Sequence, residues 1–209
     1  MNLLVIGGTR GLGRDVALAA AAAGHVVTVL ARSPAVSVTP VTGLRTVVGD
    51  VEDVADLERA VAGQQAVVWT LGVGVRRAPV HVFSRGTQLL LEVMARHGVT
   101  RLLCVTGIGA GDSRGHGGFV YDRIVQPLLL KTIYEDKDRQ EALLRSSALD
   151  WTIVRPGRLT RGPATGRARM VTEIDGVTAD KISRKDVASF IVDNLATTQY
   201  FRKAVLLTS

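Results

Sequence analysis

At 209 residues, with 46% apolar and 22% charged side chains, the chain has the length of one domain and the make-up of an ordinary globular protein. The net charge of +7 is spread along the chain and only 4% of residues are aromatic, so nucleic acid is a disfavoured partner and an anionic small molecule a favoured one. A single cysteine excludes an internal disulfide, and no apolar run reaches the ~20 residues of a membrane span, so the expectation is a cytoplasmic protein without a membrane partner.

Residues 2–6 form a short unbroken apolar run, the pattern of a strand buried on both faces. A glycine-rich turn occupies 7–13, and the Ala-rich stretch 14–23 is helical, stopping at Gly24. A second buried strand covers 26–31, and 33–43, with two prolines, reads as loop. A third strand at 45–48 closes on Gly49-Asp50. A short helix follows at 53–62, then a fourth strand at 66–70. Residues 80–97 make a long amphipathic helix ending at Gly98, and 101–106 a fifth strand with Cys104 as a small buried hydrophobe. Six glycines in 107–118 predict a mobile loop. A helical stretch at 121–131 is interrupted at Pro127, and a helix at 136–146 starts with Asp136 as its cap. The sixth strand at 151–155 stops at Pro156-Gly157. Ser183 caps a helix over 184–195, and 204–208 is the last strand. Strands alternating with helices predict an α/β fold, a doubly wound parallel sheet in one domain covering 1–209. Small substrate-side elements are expected at about 107–135 and 157–182.

The first strand runs into Gly7-Gly8-Thr9-Arg10-Gly11-Leu12-Gly13. A dinucleotide diphosphate needs a tight strand-to-helix turn, a backbone that comes close enough to donate N–H bonds, and a helix N-terminus aimed at it. Glycine meets the first two needs because a Cβ would block the approach. The spacing is G-x-x-x-G-x-G, between a buried strand and a helix, which is the context that gives such a motif its meaning. At the end of the second strand, where an acid would hold the ribose 2′-hydroxyl of NAD, the sequence has Arg32-Ser33. Arg32 and Arg10 are suited to a 2′-phosphate, so the expected cofactor is NADP(H). Asp50 is placed to accept from the adenine amino group.

These features resemble the short-chain dehydrogenase/reductase superfamily, most closely its atypical branch of NAD(P)H-binding proteins, which holds NmrA-like regulators and flavin/biliverdin reductases. Beyond the glycine loop, the similar stretches are Val47-Val48-Gly49-Asp50-Val51, Thr106-Gly107-Ile108-Gly109-Ala110-Gly111, Lys137 ahead of Glu141-Ala142-Leu143-Leu144, Asp150-Trp151-Thr152-Ile153-Val154-Arg155-Pro156-Gly157, and Ile182-Ser183-Arg184-Lys185-Asp186-Val187-Ala188. The resemblance implies strand order 3-2-1-4-5-6-7 and a cofactor site that includes Val51. Leu71, Gly72, Thr106, Lys137, Pro156, Gly157 and Arg158 are then expected to line its nicotinamide half.

In the superfamily's carbonyl reductases a tyrosine four residues before a lysine supplies the proton, and a Ser or Thr holds the substrate oxygen. With Lys137 as that lysine, the tyrosine position holds Ile133, and Tyr134 stands at a spacing of three. Tyr134 is therefore a candidate donor or a packing residue, since spacings of three and four share a helix face. Thr106 is the candidate hydroxyl. An acceptor that spreads charge over a conjugated ring needs an enzyme acid less, so hydride transfer to a flavin or quinone is favoured over carbonyl reduction. The alternative is a non-catalytic NADP(H)-binding regulator acting through a protein partner. His25, His81, His97 and His116 have no metal-ligand spacing. Arg76, Arg77, His116 and Tyr121 are the remaining candidates on the substrate side. Trp69 and Trp151 belong to the core.

Overall fold

The computed structural model describes residues 1–33 and 42–209. Most of the loop read over 33–43 lies outside the described residues. Ten strands alternate with five α-helices: β1 Asn2–Ile6, α1 Gly11–Ala22, β2 Val26–Ala31, β3 Leu44–Val48, α2 Val54–Val61, β4 Ala66–Trp69, α3 Val82–Arg96, β5 Arg101–Val105, α4 Lys131–Ser146, β6 Asp150–Pro156, β7 Arg158–Thr160, β8 Arg169–Val171, β9 Lys181–Ser183, α5 Arg184–Asp193 and β10 Lys203–Thr208. The main sheet has the order β3-β2-β1-β4-β5-β6-β10-β8. Seven of its strands are parallel, and β8 is an antiparallel edge. The expected 3-2-1-4-5-6-7 order holds, with β10 in the seventh place. β7 and β9 pair separately.

The period-two alternation of the strands divides the core. Leu3 and Val5 face one side of the sheet, where Val16, Ala17 and Ala20 of α1 and Val187, Phe190 and Ile191 of α5 cover them. Leu4 and Ile6 face the other, packed with Leu57, Leu90, Met94 and Leu144 from α2, α3 and α4. Trp69, Trp151 and Cys104 lie in this second layer, as expected. The switch in strand order falls between β1 and β4. Ligands of such sheets bind there, beyond the carboxyl ends of the strands.

Four local expectations are corrected. Helix α1 begins at Gly11, not at residue 14, because Gly13 packs against the Gly7 carbonyl within the first helical turn. Pro127 does not interrupt its segment: Tyr121–Leu130 is a π-helix that runs through it into α4. Proline has no N–H to give to any helical ladder and its ring crowds the carbonyl four residues back, and the segment departs from α geometry around it. Asp136 does not start α4; it is fully buried one turn inside. It accepts from the Phe83 N–H at 2.9 Å and from the Ser84 hydroxyl at 2.5 Å, and so caps α3 from the neighbouring helix. The glycine-rich loop after β5 is packed in place, with Ile108, Ala110 and Ser113 buried.

Candidate functional site

The carboxyl ends of β1 to β6 bring the candidate residues to one edge of the sheet. Gly7 (φ +84°) lies so close to β4 that a Cβ would stand 2.8 Å from the Leu71 nitrogen. A Cβ on Gly13 would overlap the Gly7 carbonyl oxygen and Thr70 Oγ1, while Gly8 is buried against Val29 and Val5. These three glycines fold the loop onto itself and onto the end of β4. Gly11 (φ +59°) is different. The one non-neighbouring atom within 4 Å of its Cβ position is Arg184 Nη1, at 3.8 Å. Thr9 is half-buried in the turn, and Leu12 is in the core. Arg10, exposed and extended, occupies the N-cap of α1 without a side-chain capping bond, and the first turn carries no acid. The helix therefore presents uncapped N–H groups and its positive dipole end to a cradle that has no Cβ in it, which fits a diphosphate.

At the ends of β2 and β3, Arg32, Val48, Gly49, Asp50, Asp56 and Arg59 line an open pocket of about 420 Å³. Arg32 is exposed and Ser33 half-buried. Asp50 accepts the Glu52 N–H at 3.0 Å, and its own N–H donates to Asp56 at 2.7 Å. That backbone bond, then the Arg59 guanidinium at 2.5 Å, hold the Asp56 carboxyl below the usual range. Arg59 and Asp56 escaped the sequence reading. Their only signal is an i, i+3 opposite-charge pair on α2, which is common on solvated helices. The Val51 side chain is buried in the core, so only its backbone is left to meet a nucleotide.

Beyond β4, Leu71 is half-buried and Gly72 exposed. At the end of β5 the Thr106 carbonyl accepts from Lys137 Nζ, while the Thr106 hydroxyl turns inward and donates to Glu141 at 2.7 Å. Glu141 and Arg155, each 2% exposed, form a two-pronged ion pair at 3.0 and 2.5 Å. Burial lowers Lys137 to a pKa of about 8. Its ammonium lies 5.4 Å and 5.6 Å from the ring centroids of Phe83 and Tyr134. The Tyr134 hydroxyl accepts from Tyr121 at 2.7 Å, and Tyr121 Oη also lies 3.0 Å from the Ile108 carbonyl. Burial pushes the Tyr134 phenol well above its ordinary value. A Cβ on Gly107 would stand 2.9 Å from Tyr134 Oη, so this glycine (φ +123°) makes room for the hydroxyl. Thr106, Tyr134 and Lys137 are thus brought together, with the substrate-side candidate Tyr121 bonded to Tyr134 beside them.

On the next strand, the Pro156 carbonyl accepts the Ile108 N–H at 3.1 Å and Gly157 packs on the Asp180 carbonyl, leaving Arg158 exposed. His116 bonds the Val177 carbonyl and His97 pairs with Glu58. Among the described residues no cluster of His, Cys, Asp and Glu could hold a metal, and no helix is long and apolar enough to cross a membrane.

A family model described as NAD(P)H-binding matches residues 7–198, which takes in the glycine loop and every strand end described above. The chain belongs to the NAD(P)H-binding family. This NAD(P)H-binding protein is 27% identical over 143 residues to the uncharacterized sugar epimerase YhfK of Bacillus subtilis, a match covering 67% of the chain and 61% of that protein. It is 28% identical over 153 residues to the UPF0659 protein YMR090W of Saccharomyces cerevisiae, covering 70% and 63%. The matched stretches thus span about three-fifths of the length of these curated relatives. Among solved structures it is similar to the oxidoreductase ylbE of Lactococcus lactis (TM-score 0.85, 22% identity, 100% of this chain and 91% of that one). It is also similar to ChuY, an anaerobillin reductase of Escherichia coli O157:H7 (0.84, 21%, 100% and 97%). A third is a short-chain dehydrogenase/reductase of Veillonella parvula in complex with NADP (0.83, 16%, 100% and 94%). At these identities the likeness to solved structures is one of fold.

Proposed function

We propose that the protein is an NADPH-dependent reductase that passes hydride to a small conjugated acceptor such as a flavin or a quinone. In this reading residues 1–209 form one dinucleotide-binding domain. The 107–135 and 157–182 elements stand on the acceptor side, next to the half-site of Leu71, Gly72, Thr106, Lys137 and Pro156 to Arg158. The glycine loop and the N-terminus of α1 hold the diphosphate. Arg10, Arg32 and Ser33 take the 2′-phosphate, and Asp50 the adenine edge. Bound dihydronicotinamide supplies the hydride. Lys137, tethered by the Thr106 carbonyl, keeps a positive charge at the end of β5, and Thr106 is a positioning residue through that carbonyl. The observation that carries the choice of acceptor is the state of Tyr134. The residue is 8% exposed and its hydroxyl is bonded to Tyr121, which suits an acceptor that spreads its charge rather than one that demands a proton at once.

Steady-state NADPH oxidation with added flavin mononucleotide or a soluble quinone tests this reading. Turnover with either supports it, and saturable NADPH binding without turnover to flavin, quinone or simple carbonyls refutes it. That second outcome fits the non-catalytic regulator, favoured by one observation. Phe119, Val120, Ile124, Leu128 and Leu129 leave an exposed apolar surface around the π-helix on which a protein partner could dock.

Two variants give quantitative expectations. Arg32→Ala removes a charge-assisted bond and is expected to weaken NADPH binding by roughly 10–100-fold with NADH binding unchanged. Equal losses for both nucleotides would remove Arg32 from the 2′-phosphate. Lys137 carries its charge below a pKa of about 8, so turnover is expected to fall as pH rises through that value. Lys137→Arg stays charged and is expected to move the fall to higher pH. A profile unchanged by that substitution would exclude Lys137 as its origin. The same depression has a stability consequence of opposite sense. Between pH 8 and the ordinary 10.5 the unfolded chain binds the extra proton, so this group's contribution to stability rises with pH in that window.

A further inference from the structure

We propose that Arg184, at the start of α5, is a ligand of the dinucleotide's diphosphate, which rests on the cofactor reading above. Ser183 fixes the entry to α5: its hydroxyl accepts the Lys185 N–H at 3.2 Å and lies 2.9 Å from the Gly162 carbonyl, to which it donates. The Arg184 side chain, 27% exposed, reaches the neighbouring helix α1 on the same face of the sheet. Two contacts define its position. Nε lies 3.2 Å from Asp15 Oδ2, and Nη1 lies 3.8 Å from the place a Cβ of Gly11 would fill.

The first contact is an ion pair without hydrogen-bond geometry, so Nε and Oδ2 are both buried and left without a hydrogen-bond partner. The two arginines buried as whole residues are bonded within the protein. Arg155 is forked onto Glu141, and Arg101 bonds the Asn194 and Leu195 carbonyls at the end of α5. A guanidinium with unused donors is costly to bury unless something else takes them. The open position above Gly11 is where the loop has room for a ligand, and Arg184 Nη1 borders it. Its charge also offsets Asp15, one turn inside α1, whose carboxylate would otherwise face an incoming diphosphate at short range. Arg184 thus has two tasks. It neutralises the nearest acid and it places Nη1 beside the glycine cradle, where a planar guanidinium is suited to fork onto phosphate oxygens.

Calorimetric titration with NADPH and with adenosine 2′-monophosphate, which lacks the diphosphate, tests the assignment. Arg184→Gln is expected to weaken NADPH binding about tenfold or more and to leave adenosine 2′-monophosphate binding as in the unaltered protein. Arg184→Lys, a point charge without the fork, is expected to fall between the two. The double variant D15N/R184Q leaves no buried unpaired carboxylate and is expected to show the same selective loss with a melting temperature near the original. Unchanged NADPH affinity in Arg184→Gln and in the double variant overturns the proposal, as does an equal loss for both nucleotides. Failure of the unaltered protein to bind NADPH overturns the cofactor reading and this inference together.

Discussion

Glu141→Leu is expected to lower the stability of the protein by about 3–5 kcal/mol, the cost of leaving a buried charge without its partner. The Glu141 carboxylate receives the Thr106 hydroxyl and two nitrogens of Arg155. Burial alone would lower the Arg155 pKa, yet its bonds to Glu141 and Asp112 hold it above the ordinary value. Without Glu141 the guanidinium would keep only Asp112, a two-thirds exposed residue whose pairing water and salt weaken. Gly111 shares the arrangement: a Cβ there would stand 2.6 Å from Arg155 Nη2 and 2.7 Å from Glu141 Oε2. For a domain of this length the loss corresponds to a fall of roughly 6–20 °C in melting temperature. Calorimetry checks it, and a shift under about 2 °C would show the pair to be dispensable. Replacing both partners, as E141L/R155M, is expected to recover part of the loss, because two apolar side chains leave no stranded charge. The pair ties α4 to the ends of β5 and β6. Glu141→Leu should therefore also disturb the Lys137 contact with Thr106.

The second large effect is on binding. Gly13→Ala is expected to abolish measurable NADPH binding, a loss of about 100-fold or more, while destabilising the fold by about 1–3 kcal/mol. The added methyl would overlap a main-chain oxygen, that of Gly7, and the short Thr70 side chain, which is held by its bond to the Ile6 carbonyl at 2.8 Å. Neither can swing aside, so the N-terminus of α1 must move away from β1 and from the cradle. Gly162→Ala, with no atom within 4 Å of its Cβ position, is the matched control and is expected to bind as the original does. Fluorescence titration checks the pair. A Gly13→Ala protein that binds NADPH normally would separate the loop's glycine spacing from the cofactor.

The strand run and the glycine loop were legible in the amino-acid sequence because each follows from a local rule, whereas the order of the parallel strands came from the family resemblance. Strands buried on both faces read as unbroken apolar runs, as in 3–6 and 102–105. A backbone that must approach a ligand or another chain segment excludes a Cβ, and glycine at 7, 11 and 13 records that exclusion. Arg32 was readable as the first charged residue after the apolar run of β2. What the chain order could not reveal is which distant partner each side chain meets. Thr106 reads as an active-site hydroxyl until α4 is packed against the end of β5, when the hydroxyl is taken by Glu141 and the carbonyl is left to Lys137. Asp136 reads as the cap of its own helix until α3 is packed against α4 and offers it the Phe83 N–H. Arg184 stands in a family-like stretch, but the Asp15 and Gly11 it meets lie almost a chain length away and leave no trace beside it in the sequence. Main-chain geometry is governed by neighbours in sequence, whereas a buried polar group bonds to whatever the packed layers bring within 3 Å, and that was settled only by the tertiary fold.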